Sequence, residues 1–181
     1  GSRFDSWKVH HQGSISQRYQ MKQGTKANKS GLRLEDKVEN IILNNLDVVA
    51  RKYSQTEIRK NVLLKHVPYT NIYGNTRCRS EFLLCYKSRK VRIECKFQES
   101  AGSVDEKLPY LFMNFTKSIP EEEAIIVIEG NGFKKGAKEW LRKKCAGTKV
   151  SVMSLDEFAA NVAAELPKKN ILGRLFDWVV A

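Results

Sequence analysis

The sequence predicts an α/β protein in which a mixed central β-sheet is flanked by helices. Three observations carry that expectation. Helix-like and strand-like hydrophobic periods alternate along most of the chain. Two strand-like runs, Cys78–Tyr86 and Lys90–Gln98, are separated only by the short polar stretch Lys87-Ser88-Arg89, which predicts a hairpin. The remainder then reads as helix, strand, helix, strand, helix. One domain over residues 31–166 is the simplest count, with a polar N-terminal segment (1–30) and an apolar C-terminal one (167–181) outside it.

Taken in order, residues 1–30 carry Lys22, Lys26 and Lys29 but few apolar anchors, and read as a basic arm or a peripheral cover. The Gly1-Ser2 start reads as an expression scar, so the natural beginning is expected to differ. Val38, Ile42, Leu46 and Val49 recur at helical spacing and predict a helix from Leu32 to Tyr53. Val62-Leu63-Leu64 reads as a short strand closed by Pro68 and the turn Tyr73-Gly74-Asn75. The hairpin follows. Gly102-Ser103 breaks the pattern, and Glu106 to Ile119 reads as a helix with an awkward early Pro109. Glu123–Ile128 is the most buried-looking strand. A helix over Phe133–Cys145, a strand over Lys149–Met153 and a helix from Ser154 to Leu166 complete the domain. Ser154 and Glu157 match a capping box. The final apolar stripe, with Ile171, Leu175, Phe176 and Trp178, suits docking or self-association.

The charge is uneven. Thirty-two Lys and Arg against twenty Asp and Glu leave +12, which favours a polyanionic partner, nucleic acid before an anionic membrane surface. No apolar run approaches the roughly 20 residues that span a bilayer. Cys78, Cys85, Cys95 and Cys145 form no CxxC pair and no zinc-like grouping with His10, His11 or His66. Cys85 and Cys95, in apolar stretches, are expected to be buried thiols, which fits a reducing cytoplasm.

The third strand is the informative one. Val91, Ile93, Cys95 and Phe97 alternate with Arg92, Glu94, Lys96 and Gln98, so the second set shares a face. Glu94 and Lys96 would project side by side, about 7 Å apart along the strand. A carboxylate can hold a divalent ion while a neighbouring ammonium orients water, although a solvated ion pair has the same spacing. Glu81 precedes Glu94 by thirteen residues across the expected hairpin, close enough to share an ion if the strands pair. On the first helix Glu35 and Glu39 fall within the apolar stripe, where a carboxylate needs a metal, a metal-bound water or an exposed first turn.

Arg79-Ser-Glu-Phe-Leu-Leu followed by Val91-Arg-Ile-Glu-Cys-Lys resembles the PD-(D/E)XK nuclease superfamily, which includes many restriction endonucleases and the archaeal-type Holliday junction resolvases. Gly31-Leu-Arg-Leu-Glu is similar to the start of that group's first helix and points to Glu35 rather than Glu39. The resemblance spans Gly31 to Met153 and implies a restriction-endonuclease-like αβββαβ core. It implies an Mg²⁺- or Mn²⁺-dependent endonuclease that hydrolyses DNA phosphodiesters. Glu81 and Glu94 would hold the metal, Lys96 would position the attacking water, and Glu35 would bind a metal-linked water. Glu81 stands where the superfamily usually has Asp, which also admits a non-catalytic DNA-binding module. An RNA-processing enzyme would be served by the same charge.

Gln98, Ser103 and Lys107 are expected near a phosphate at the turn into the next helix, and Lys134, Lys135, Lys138 and Arg142 on one stripe of a later helix. The expected partner is duplex or branched DNA. A homodimer follows if both strands are cut.

Overall fold

Leu34, Val38 and Ile42 are buried along one side of the first helix, α1 (residues 33–45), at the spacing a 3.6-residue period demands. The computed structural model describes residues 33–54, 61–74 and 77–165; the expectations for segments 1–30 and 167–181 lie outside these. Helix α1 stops well short of Tyr53. The Asn45 side chain donates to the Ile41 carbonyl at 2.8 Å, and Asp47, Val48 and Val49 follow. Short polar side chains compete for the backbone there, and β-branched ones resist a helix. The chain extends instead as β1 (Val49–Lys52), so Val49 leaves the expected helical stripe and is 58% exposed.

Strands β2 (Val62–Thr70), β3 (Arg77–Tyr86), β4 (Arg89–Phe97), β5 (Glu123–Glu129) and β6 (Val150–Met153) complete a six-stranded sheet in sequence order. The sheet is mixed: β2–β3 and β3–β4 pair antiparallel, the other neighbours parallel. Strand β2 runs on past Leu64 and through Pro68. Its pairing with β1 ends at Lys52↔Lys65, and a proline is tolerated where one edge of a strand has no ladder to feed.

Helices cover both faces. α1 and α4 (Leu155–Glu165) bury Val38, Ile42, Phe158 and Val162 against Leu63, Phe82, Ile93 and Val127. On the opposite face, α2 (Leu108–Lys117) and α3 (Ala137–Cys145) bury Leu111, Phe115 and Leu141 against Ile126, Ile128 and Val152. Val62, Leu64, Leu83 and Cys85 extend this second face toward Tyr53. The Ser154–Glu157 capping box is present: Ser154 N–H donates to the Glu157 carboxylate at 2.6 Å, and Glu157 N–H to the Ser154 hydroxyl at 3.2 Å. Pro109 sits in the first turn of α2 after a 3₁₀ turn over Asp105–Lys107. No helical hydrogen bond is forfeited at that position. Cys78, Cys85, Cys95 and Cys145 are free thiols, the last three buried. Among the described residues, no helix is long and apolar enough to cross a membrane.

Two glycines fix how the chain leaves β4. A Cβ on Gly130 would stand 2.2 Å from the Gln98 carbonyl oxygen, and one on Gly132 would stand 2.3 Å from the Ser100 carbonyl oxygen. Backbone cannot swing aside as a side-chain tip does. Gly132→Ala is therefore expected to lower stability by roughly 2–4 kcal/mol, read as a shift in the urea unfolding midpoint.

Candidate active site

The β3–β4 ladder stops at Phe82↔Ile93. The next residue on each strand is an acid: Glu81 on β3 and Glu94 on β4. On its other side, β4 continues in register with β5 through Lys96↔Ile128. Glu94 and Lys96 are thus carried on a strand still anchored along one edge while its hairpin partner turns away. The gap at the parting strands is where the acids gather.

Glu94 is buried. One carboxylate oxygen, Oε1, accepts from the Lys96 ammonium, which also donates to the Cys95 carbonyl at 3.3 Å. The other oxygen, Oε2, is buried with no hydrogen-bond partner. A stranded carboxylate oxygen is costly, and a bound cation is one means of satisfying it. Glu81 is half-buried, and His66 Nδ1 stands 3.7 Å from its carboxylate. Burial first, then the charges of Glu94 and Glu35, push the Glu81 carboxyl up to about 7. Burial also raises Glu35, which reaches in from α1 and feels Glu94 and Asp36, with His66 and Lys96 opposing. For Lys96, burial acts to lower the ammonium, but Glu94 and Glu81 outweigh it and hold it above its ordinary value. Three carboxylates and one fixed ammonium therefore share a recess with an excess of negative charge.

Glu39, the other acid on the apolar stripe, accepts from Lys65 Nζ at 2.5 Å. That leaves Glu35 as the acid that the helix contributes.

The donor set suits a divalent ion: oxygen ligands, a stranded oxygen, and like charges in need of neutralisation. Among the described residues, no three His, Cys, Asp or Glu side chains close into a cage. Mg²⁺ commonly takes one or two carboxylates and completes its octahedron with water and phosphate.

Residues 26–166 match the family model of a PD-(D/E)XK nuclease superfamily domain, well over half the chain. The chain belongs to the PD-(D/E)XK nuclease superfamily. Membership carries the α/β fold and nuclease character. It makes nucleic acid the substrate class, and a divalent metal is the general requirement of such nucleases. No curated protein matches the chain.

The expected phosphate contacts of this PD-(D/E)XK domain fare unevenly. Gln98 is buried, and its amide is engaged at both ends: Nε2 donates to the Gly132 carbonyl at 2.6 Å, and Oε1 accepts from Val104 N–H at 2.8 Å. It is a tether between loops, in place of the phosphate contact its strand alternation suggested. Ser103 and Lys107 are exposed at the turn into α2, as expected. Lys134 and Lys135 are not on α3. Gly136, with a left-handed φ of 81°, starts the helix after them, so the four-cation stripe is shorter than its sequence spacing implied. Lys134 pairs with Glu106 at 3.1 Å, Lys138 donates to the Gly130 carbonyl at 2.6 Å, and Arg142 grips the Glu157 carboxylate. Lys135 is exposed.

Sequence reading missed two neighbours of the site. His66 sits within β2 at φ 55°, opposite Glu81 where the β2–β3 register skips from Lys65↔Phe82 to Val67↔Ser80. Ending that strand at Leu64 hid it. Arg92, on the same face as Glu94, is buried and holds Glu121 through two hydrogen bonds of 2.6 and 2.7 Å. Its Nη1 donates to Ser80 Oγ at 2.9 Å and to the Val67 carbonyl at 3.1 Å. The face shared by Arg92, Glu94 and Gln98 is itself largely buried, with Glu121, Ser80 and the Tyr69 ring enclosing Arg92.

The raised Glu81 carboxyl has a direct consequence for stability. Its folded value lies above the ordinary 4.5, so the neutral acid is the form the fold prefers. That contribution is full below the ordinary value and is lost as pH rises through about 7. In metal-free buffer the thermal midpoint should fall across this window, and Glu81→Gln should flatten the fall. An unchanged profile in the variant would remove Glu81 from the cause.

Proposed function

We infer that the protein is a metal-dependent endodeoxyribonuclease, and the observation that carries this is the buried, partnerless oxygen of Glu94 beside Glu81, Glu35 and Lys96. Glu81 and Glu94 would hold Mg²⁺ or Mn²⁺, which when bound supplies Lewis-acid polarisation of the scissile phosphate and a more acidic water. Lys96 does the positioning. Its ammonium, kept charged by Glu94 and Glu81, donates to the attacking water and offsets charge that develops on phosphate oxygens. Glu35 accepts from a water at the edge of the recess. Ser103, Lys107 and Lys135 offer exposed groups for the phosphates on either side.

DNA is the substrate assigned here, duplex or branched, drawn in by the +12 charge. A homodimer would place two such sites across one duplex, and light scattering reports it directly. Four free thiols suit the reducing cytoplasm.

The test is cleavage of supercoiled plasmid by the wild type with Mg²⁺, with Mn²⁺ and with EDTA, alongside an RNA duplex of matched length. Nicking or linearisation that needs the metal supports the reading. Preferential cutting of RNA would move the substrate assignment to RNA processing. A second reading, a DNA-binding module without catalysis, draws on Glu81, one methylene longer than the usual Asp; DNA bound but uncut under every metal condition would favour it.

A further inference from the structure

The connection after β2 is built to display an aromatic ring. Asn71 is buried and works as a bracket: its Nδ2 donates to the Tyr110 hydroxyl at 2.7 Å, and its Oδ1 accepts from Tyr73 N–H at 3.0 Å. Its carbonyl accepts from Gly74 N–H at 3.0 Å, with Gly74 at φ 78° closing the turn. Asn114 of α2 accepts from Ile72 N–H at 2.9 Å. With its backbone fixed, Tyr73 stacks on Tyr110, ring centroids 5.8 Å apart and planes 23° from parallel. Tyr73 nevertheless remains 69% exposed. A large ring held this firmly and left this open contributes little to the core.

Its neighbours say what would cover it. The Tyr110 hydroxyl lies 3.9 Å from Cys78 Sγ. Cys78 pairs with Tyr69 across the β2–β3 ladder and lies three residues before Glu81 on β3, about 10 Å along the strand. The stack thus stands beside the strand that carries Glu81 into the acidic recess. Lys107, exposed, lies three residues before Tyr110, adjacent on the helical surface. An aromatic face beside a cation and next to phosphodiester chemistry is the arrangement that receives a base and its phosphate. In a continuous duplex both faces of each base are already stacked, so the ring can take only a base freed from its partner.

We propose that Tyr73, braced on Tyr110 by Asn71, is a stacking platform for one unpaired nucleobase of the DNA substrate, placing the boundary between paired and unpaired DNA beside the acidic recess. This deepens the nuclease reading and rests on it.

The test is binding in EDTA, so that no cleavage intervenes. The full chain, Tyr73→Ala and Tyr73→Phe are titrated against a duplex carrying a single unpaired 2-aminopurine and against the same duplex fully paired. For wild type and Tyr73→Phe, the 2-aminopurine emission should be quenched on binding. Tyr73→Ala should lose the quenching and about tenfold in affinity for the unpaired-base DNA, with the paired duplex bound as before. Equal losses on both DNAs, no loss on either, or failure of Phe to restore quenching would each overturn the proposal. Plasmid cleavage separates the two readings. A protein that cuts DNA but whose Tyr73→Ala variant treats both DNAs alike refutes the platform and keeps the nuclease. Tyr73-dependent quenching without any cutting refutes the nuclease and keeps the platform.

Discussion

Glu94→Ala should reduce metal-dependent cleavage by on the order of 10³-fold or more, with the protein still folded and still binding DNA. The reason is the position of Glu94 on a strand anchored by β5 and bare toward β3, with one buried oxygen unpaired. Removing the carboxylate lifts the penalty on its unpaired oxygen but also strands the Lys96 ammonium, so metal-free Glu94→Ala should be less stable than the wild type, and the isosteric Glu94→Gln should lose activity with a smaller loss of stability. Lys96→Ala should lose activity and stability to a similar extent, since it leaves the Glu94 carboxylate buried without its cation. Glu35→Gln, acting through water, should cost less, roughly 10–100-fold. Cleavage rates over a range of Mg²⁺ concentrations, with thermal melts in EDTA, check all four. Full activity in Glu94→Ala would remove this recess from the chemistry.

The largest stability loss is expected from Arg92→Ala. Arg92 and Glu121 are both buried, and the guanidinium meets the carboxylate through two hydrogen bonds and gives a third donor to Ser80 and Val67. The Tyr69 ring covers it at 5.4 Å. Deleting one partner strands the other, at a cost of about 3–5 kcal/mol. Replacing both with apolar residues of similar size, Arg92→Met with Glu121→Met, should recover most of the loss, because neither charge then needs a partner. Urea unfolding of the single and double variants measures this. A double variant as unstable as Arg92→Ala would show that the hydrogen bonds to Ser80 and Val67, rather than the stranded carboxylate, carry the cost.

Much of the fold was legible because its strands and helices have clean periods. Ile93, flanked by Glu94 and Arg92, and Val38 with Ile42 mark their faces by spacing alone. The same alternation brought Glu94 and Lys96 together, and the hairpin brought Glu81 to them. What was illegible depended on distant partners. The end of α1 was set by Asn45 bonding back to Ile41, against an apolar period that ran on to Val49. Strand alternation put Arg92 on a face but could not show that Glu121, Ser80 and the Tyr69 ring enclose it there. Lys134 and Lys135 looked helical because nothing in their own spacing announces that Gly136 is left-handed. Gln98 was misread for a similar reason. Strand parity gives its direction, but only the approach of Gly132 and Val104 shows that its amide is already engaged.

On the proposed nuclease reading, that last engagement bears on how a substrate would be met. Gln98 is bonded to Glu129 and Gly132 through its backbone and to Gly132 and Val104 through its side chain. The exit of β4, the loop after β5 and the approach to α2 are thereby tied to one another through one residue. A rim so fastened would yield less than a free loop to what lands on it. More of any bending or unstacking would then fall to the nucleic acid, and a site already kinked, nicked or frayed would start with part of that deformation complete.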